Sequence, residues 1–264
     1  MDYNKLLDAH IRHGSTADDI CRYALSVERE QIRENVVLAP CWVPQSMPEL
    51  GNITLLSLAK NAAIKVYDVE CTNGKKFSYI NTGIGGPMVT EAVLALGTTK
   101  CKNLLLLGSA GSSDENVNIG DLVVAESAIN GLGTPFYMED EKINSQNLMG
   151  KAYYPDEELK NRLINVVEKT NCKIYPVFST DSVFCQFCHM QEIIDSGAKV
   201  IDMEASAVFC AAKLAGIKAA ALFAVSDSSA KNKSLVSGRK EEDMEHYRNV
   251  RKKIIPDIIK ELII

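Results

Sequence analysis

The chain has 264 residues, 46% of them hydrophobic and 24% charged, with a formal net charge of -5. This length fits one large α/β domain, and the scattered basic residues give no electrostatic footprint for nucleic acid. No apolar run reaches the ~20 residues that span a bilayer, and the N-terminal segment lacks an apolar signal core. We therefore expect a cytoplasmic protein that binds a small molecule, with neither nucleic acid nor membrane as a partner.

Strand-like apolar runs alternate with helix-like stretches along the chain. The predicted strands are 36–39, 64–69, 77–81, 104–107, 121–125, 174–178, 200–203 and 219–225. Several are apolar throughout, which is typical of strands covered on both faces. The predicted helices are 17–34, 89–96, 156–170, 205–215 and 241–262, the last interrupted by Pro256.

This alternation predicts a three-layer α/β/α sandwich whose ligand lies at the carboxyl ends of the strands. No linker, repeat or low-complexity tract divides the sequence. We expect a single domain over residues 1–264, with residues 1–35 as an N-terminal helical extension. The polar, charged tract Lys231–Lys240 is expected to form a solvated loop or a lid.

Eight cysteines are spread over the sequence, mostly alone in apolar surroundings, as small buried hydrophobes would be. The exception is the run Cys185-Gln-Phe-Cys188-His189, whose spacing matches a c-type haem attachment site and half of a zinc site. No export signal accompanies it, and no second ligand pair has metal spacing. We therefore expect no metal site here, and a redox pair would lack its usual thioredoxin-like context.

Two glycine-containing segments follow predicted strands. In Asn81-Thr-Gly-Ile-Gly-Gly-Pro87, glycines allow backbone amides to approach a ligand, but the spacing differs from the dinucleotide-binding fingerprint. The run 104–107 leads into Gly108-Ser109-Ala110-Gly111, where a loop would present the Ser109 hydroxyl and successive amides to an anion or a sugar. Ser109 directly follows Gly108, so this segment does not fit the nucleophile elbow of a hydrolase.

Two further apolar segments carry acids at one end. Asp202-Met203-Glu204 opens an apolar helix that stops at Gly216, and the run 219–225 delivers Ser226-Asp227. An unpaired charge in a buried segment is expensive, so two such segments predict a site at the sheet edge. Structural roles remain open for both acids, because Glu204 could complement a helix dipole and Asp227 could cap a helix.

Together these segments resemble the nucleoside phosphorylase family of purine nucleoside phosphorylases, uridine phosphorylases and methylthioadenosine/S-adenosylhomocysteine nucleosidases. TGIGGP (82–87) is close to the uridine phosphorylase form, GSAG followed by GDLVV (120–124) is shared across the family, and residues 202–219 look like its E-M-E-A helix. The similarity covers roughly residues 36–262. It implies a central mixed sheet and cleavage of an N-glycosidic bond, with phosphate as a co-substrate and no metal or organic cofactor. It also implies a homo-oligomer, either a dimer or a trimer of dimers.

The resemblance also implies a role for each matched residue. Asp227 would protonate the purine ring nitrogen with the help of Arg239, since an acid makes the base a better leaving group. Glu204 would accept the ribose hydroxyls, Met203 would pack on the sugar, and Asp202 stands where most members have glutamate.

The remaining matched residues would complete the substrate site. Val183 and Phe184 occupy the base-stacking positions. The other substrate contacts implied are Ser109, Ala110 and Gly111, and the phosphate or nucleophile site would consist of Gly85, Gln45 and Ser109. A histidine near the N-terminus, His10 or His13, could complete the sugar site of a neighbouring subunit.

Two departures from the family pattern affect the nucleophile. The phosphorylases hold phosphate with two arginines, and this chain has Gln45 and Leu106 at those positions. Losing two charge-assisted contacts at about 1.5–3 kcal/mol each would weaken phosphate binding by orders of magnitude. The hydrolytic nucleosidases carry a glutamate base near Gln45, and Glu49 is the nearest substitute.

Three functions therefore remain, in this order of preference. The first is phosphorolysis of a purine nucleoside to free base and pentose 1-phosphate. The second is hydrolysis of the methylthioadenosine/S-adenosylhomocysteine type, and the third is nucleoside binding without catalysis.

Overall fold

Successive side chains along the strands pack into two separate hydrophobic cores, one on each face of the sheet. The computed structural model describes residues 1–59, 61–139, 142 and 146–263. On the strand Asn103–Ser112, Leu104 and Leu106 belong to one core, whereas Leu105 and Leu107 belong to the other. Both faces of the sheet are therefore buried, which explains why the strands read as continuous apolar runs. The predicted three-layer α/β/α architecture with a central mixed sheet is confirmed.

Ten strands make up one sheet within the described residues. They are β1 (Asn35–Leu38), β2 (Gly51–Leu55), β3 (Lys65–Cys71), β4 (Lys76–Asn81), β5 (Asn103–Ser112), β6 (Leu122–Gly131), β7 (Ala152–Tyr153), β8 (Cys172–Thr180), β9 (Val200–Asp202) and β10 (Lys218–Ser228). Their order is β10-β6-β8-β9-β5-β1-β4-β3-β2, with β7 beside β6. Strand β10 also pairs with β5. The five strands β5, β10, β6, β8 and β9 therefore close into a ring.

The helices pack on the two faces of this sheet. They are α1 (Tyr3–Arg12), α2 (Ala17–Leu25), α3 (Gly86–Leu96), α4 (Glu157–Val167), α5 (Met190–Asp195), α6 (Ala205–Ala215), α7 (Glu241–Asn249) and α8 (Ile255–Leu262). Buried residues of α2, α3 and α6 share a core with Leu104, and those of α4, α7 and α8 share the other with Leu105. No helix among the described residues has the length and apolar character needed to cross a membrane.

Two predicted segment ends were wrong at the positions that matter most for the site. The predicted loop Gly108–Gly111 belongs to β5, and Ser226 and Asp227 lie within β10. Parallel pairing of these two strands continues as far as Ser112 and Ser228, with a register shift between Val225 and Asp227. Small residues at the ends of both strands permit this extended pairing. The predicted strands ended too early because they were drawn from the apolar residues alone.

Other boundaries differ for local reasons. The helix predicted over 17–34 stops at Leu25, because Ser26 adopts a left-handed conformation with φ 56°. The stretch 241–262 is helical throughout, with a π-helical turn over Val250–Ile254 that precedes Pro256 in the first turn of α8. Pro256 supplies no amide hydrogen to this continuous helical stretch, and the π-helical turn directly before it is where the regular hydrogen-bond ladder is interrupted. Helix α1 falls within the expected N-terminal helical extension, whereas α5, β2 and β7 were not predicted.

Candidate active site

A cavity of about 290 Å³ lies where β5, β8, β9 and β10 meet. Its wall contains most of the side chains predicted for the site, including both acids. The lining residues among those predictions are Ser109, Ala110, Gly111, Val183, Asp202, Met203, Glu204, Asp227 and Arg239. Residues from five separate segments of the chain thus face one hollow of the size typical of small-ligand sites.

Asp227 is held against the backbone of β5. It pairs in register with Gly111, and a side chain at Gly111 would place its Cβ 2.9 Å from Asp227 Oδ2. Glycine is therefore required for the carboxyl group to sit there. Asp227 is 6% exposed, and the Ser226 hydroxyl donates to its Oδ1 at 2.7 Å. Burial raises the pKa of Asp227, opposed by that hydrogen bond and by the charge of Arg239.

Glu204 precedes the first turn of α6 and is 7% exposed. The backbone amide of Gly85 donates to its Oε1 at 2.7 Å. Burial, together with the neighbouring charge of Asp202, raises the pKa of Glu204 to about 8. Gly85, predicted as part of the phosphate site, therefore fixes the Glu204 carboxyl, and its φ of +110° favours glycine at this turn.

Asp202 supports the backbone that carries Glu204. Its Oδ2 accepts the amide hydrogens of Glu204 at 3.0 Å and Ala205 at 2.6 Å, and its Oδ1 accepts the Ser179 hydroxyl at 2.6 Å. Burial raises the pKa of Asp202 to about 6, against the effect of these hydrogen bonds. Both of its oxygens are thus engaged by the protein, so we assign it a positioning function although it borders the cavity.

One side of the cavity is formed by the segment that follows β8. Val183 lines it, but Phe184, predicted to stack on the base, is 91% exposed and does not. Gln186 lines the cavity instead, and its Oε1 is buried without a hydrogen-bond partner in the structure. A buried amide oxygen of this kind is costly unless a ligand donates to it.

Another part of the lining consists of three neighbouring residues, Cys41, Ser109 and Tyr247, which we call the acceptor end. The hydroxyl oxygens of Ser109 and Tyr247 are 2.6 Å apart, and the Cys41 Sγ lies 3.7 Å from Ser109 Oγ. Burial raises the pKa of both the Cys41 thiol and the Tyr247 hydroxyl. All three groups are therefore neutral near pH 7.

The positions compared with the phosphate arginines do not contribute to the cavity. Gln45 is exposed in a short 3-10 helix, and Leu106 is fully buried in the core. Glu49, the nearest substitute for a glutamate base, is also exposed and outside the cavity lining. Of the described residues that line the cavity, Arg239 alone carries a positive charge.

Arg239 belongs to the tract 231–240 and reaches back toward Asp227. Its Nη1 donates to the Ser226 carbonyl at 3.4 Å and its Nη2 to the Leu235 carbonyl at 2.9 Å. Leu235 also lines the cavity. The tract therefore covers the Asp227 side of the site, in agreement with the expected lid position.

Other sequence candidates lie away from the cavity. His10 and His13 are exposed at the end of α1. Cys185 and Cys188 are exposed on the 3-10 helix Cys185–His189, beside Gln186. In contrast, Cys41, Gln186 and Tyr247 were missed as cavity residues. Tyr247 could not be found by motif, because it comes from α7 and meets Ser109 across 138 residues of sequence.

The chain is similar to known proteins in both sequence and fold. A sequence model of the phosphorylase superfamily matches residues 45–261. The chain belongs to the phosphorylase superfamily. The resemblance drawn from the motifs is thereby confirmed.

Individual members of the superfamily match in sequence and in structure. A DeoD-type purine nucleoside phosphorylase from Listeria welshimeri is 31% identical over 159 residues, which cover 58% of this chain and 64% of the relative. A uridine phosphorylase from Vibrio fischeri superposes with a TM-score of 0.73 at 22% identity over 90% of this chain and 94% of the other. An AMP nucleosidase from Bacteroides thetaiotaomicron gives 0.70 at 13% identity over 93% and 94%.

These similarities differ in what they establish. At 22% and 13% identity the two solved structures show a common fold, and proteins named phosphorylase and nucleosidase share it. The sequence match spans 64% of the curated relative's length. The superfamily is thus established for this chain. The substrate and the acceptor of the sugar depend on the residues of the site.

Replacing Glu204 by glutamine tests its raised pKa through stability. The folded carboxyl keeps its proton up to about pH 8, against 4.5 for the ordinary group. Its stabilising contribution is therefore fully present below pH 4.5 and is lost as the pH rises through about 8. We expect the melting temperature of Glu204→Gln relative to wild type to rise between about pH 5 and about pH 9. Glu49→Gln, at an exposed position, is the control, and a difference that does not change with pH would contradict the assignment.

Proposed function

We propose that the protein cleaves the N-glycosidic bond of a purine nucleoside and releases the free base. The observation that carries this proposal is the presence of Asp227 and Glu204, both buried, in the wall of one cavity. The two carboxyl groups come from different segments, and each is fixed by its own hydrogen bond, from Ser226 and Gly85 respectively. One group can then act on the base while the other holds the sugar.

Asp227 is the acid in this proposal. Burial raises the pKa of Asp227, which favours the protonated form that can donate to the purine ring nitrogen as the C1′–N bond lengthens. The proton converts the departing purine anion into a neutral base. Arg239 lies close enough to influence the Asp227 charge, and it stabilises the carboxylate once the proton has left.

Glu204 binds the ribose hydroxyls. Its Oε1 already accepts the Gly85 amide, which leaves Oε2 to hydrogen-bond the sugar hydroxyls, as a donor when protonated and as an acceptor when ionised. Met203 lies in the same wall and supplies an apolar surface for the sugar face. Fixing the sugar in this way presents the anomeric carbon to the acceptor end of the cavity.

The purine class is supported by the sequence relative and by the cavity itself. The matched Listeria welshimeri protein is named a purine nucleoside phosphorylase. Asp227 provides the acid that a purine leaving group needs. The buried Gln186 Oε1, which has no hydrogen-bond partner, can accept from a ring or exocyclic N–H of the purine.

Two forms of the reaction differ in the acceptor of the sugar. Phosphorolysis is supported by the name of the sequence relative. Hydrolysis is favoured by one observation on this chain, namely that Gln45 and Leu106 contribute no arginine to the cavity. Assays on inosine, adenosine and methylthioadenosine with and without phosphate distinguish the two forms, and binding without base release in either condition would contradict the proposal.

Replacing Asp227 by asparagine tests the acid. Asparagine keeps the shape but carries no transferable proton, so turnover should fall by about 10²–10⁴-fold with little change in nucleoside affinity. Steady-state release of base and equilibrium binding of a non-cleavable analogue measure the two quantities. Asp195→Asn, an exposed acid outside the cavity, is the control. Equal loss of turnover and binding would argue against acid catalysis.

Replacing Glu204 by glutamine also tests sugar binding. Above its pKa of about 8 the Glu204 carboxylate accepts through both oxygens, whereas glutamine accepts through one only, so at pH 9 affinity for the riboside should fall by about tenfold while affinity for the free base stays within about twofold. Calorimetric titration with inosine and with hypoxanthine gives the comparison. Unchanged riboside affinity would remove Glu204 from the sugar site.

A further inference from the structure

The acceptor end, formed by Cys41, Ser109 and Tyr247, differs in chemistry from an anion site. It offers two hydroxyl groups and a thiol, and burial keeps the thiol and the phenol protonated at neutral pH. A phosphate dianion requires strong cationic donors in place of the water it gives up. None of the three groups is such a donor.

The Ser109 hydroxyl is already engaged by the protein. Trp42 Nε1 donates to the Tyr247 hydroxyl oxygen at 3.3 Å, so the hydroxyl hydrogen of Tyr247 is directed elsewhere. The nearest acceptor is Ser109 Oγ, 2.6 Å away. Either oxygen of this pair can donate; with Tyr247 as the donor, a chain runs from Trp42 through Tyr247 to Ser109 and leaves the Ser109 hydrogen for the cavity.

Trp42, the first donor of this chain, is held in place by several contacts. The Trp42 carbonyl accepts the Tyr79 hydroxyl at 2.9 Å and the Asn81 side-chain amide at 3.2 Å. The Trp42 and Tyr247 rings meet edge to face with centroids 6.3 Å apart, and Trp42 is 3% exposed. The Tyr247 oxygen therefore holds one position beside Ser109.

The nearby arginines do not supply the missing charge. Arg239 donates to the Ser226 and Leu235 carbonyls, on the Asp227 side of the cavity. The Arg251 guanidinium stacks on Trp42 and Tyr247, at 6.0 Å and 5.9 Å from the ring centroids, and does not line the cavity.

We propose that Tyr247 makes the acceptor end a site for water and excludes phosphate, so that the sugar is transferred to water. This inference rests on the proposed glycosidic cleavage and adds the identity of the second substrate. Tyr247 contacts Ser109 rather than the reacting atoms, so it is a positioning residue that also determines acceptor specificity.

The reaction balances with water alone. The C1′–N bond breaks, its electron pair goes to the purine, and protonated Asp227 transfers a proton to the base. A water molecule that accepts the Ser109 hydrogen bond forms the new O–C1′ bond. The proton that this water loses passes to solvent, and the Asp227 carboxylate regains a proton from solvent. The products are free base and free pentose.

The first experiment identifies the acceptor. Wild-type protein is incubated with inosine across a range of phosphate concentrations, including none, and the sugar product is identified by ³¹P NMR and a reducing-sugar assay. We expect base release at a rate that phosphate does not change, with free pentose as the product. Phosphate should also give no thermal stabilisation beyond that of a chloride solution at equal ionic strength.

The outcomes separate the two levels of the proposal. Base release that requires phosphate and yields pentose 1-phosphate would overturn the water site while leaving glycosidic cleavage intact. No base release from any of the nucleosides, with or without phosphate, would overturn the proposed function and the water site together.

The second experiment tests Tyr247 with Tyr247→Phe, which keeps the ring beside Trp42 and removes the hydroxyl. We expect kcat with water to fall by about tenfold while KM for inosine stays unchanged, because one positioning hydrogen bond is lost. Added methanol should give more methyl pentoside relative to free pentose than in wild type, since the acceptor end is enlarged. Tyr154→Phe, at an exposed tyrosine, is the control. An unchanged kcat and product ratio would remove Tyr247 from acceptor selection.

Discussion

The pairing of β5 with both β10 and β9 is the constraint on which the site depends. Because β5 joins β10 on one side and β9 on the other, Gly111 lies in register with Asp227 and with Ile201. This brings the acid of β10 and the acid that follows β9 into the wall of one cavity. The absence of a side chain at Gly111 allows the Asp227 carboxyl to pack on that strand.

The acids could be predicted from sequence because each follows an apolar run that is buried at both faces. Glu204 and Asp227 are local features of this kind, and their family motifs are continuous in the chain. The extent of β5 could not be predicted, since Gly108–Gly111 gains its strand conformation only by pairing with β10. Tyr247 and Gln186 were missed because no motif marks a residue that reaches a site from a distant helix or short turn.

The two sides of the cavity have different chemical demands. In the proposed reaction, the side with Asp227 and Glu204 carries protons and binds hydroxyls, and buried carboxyl groups with raised pKa suit that purpose. In the same proposal, the acceptor end determines what attacks the sugar, and its charge decides between an anion and a neutral molecule. Proteins named phosphorylase and nucleosidase share this fold, so the fold by itself does not determine the acceptor.

The central claim is that Asp227 and Glu204 hold opposite parts of one nucleoside. A crystal structure with a non-cleavable purine nucleoside analogue tests it most directly. The account predicts the purine ring nitrogen within hydrogen-bond distance of the Asp227 carboxyl and the ribose hydroxyls on Glu204, with the anomeric carbon facing Ser109. An analogue bound elsewhere, or bound in this cavity without contact to either carboxyl group, would contradict it.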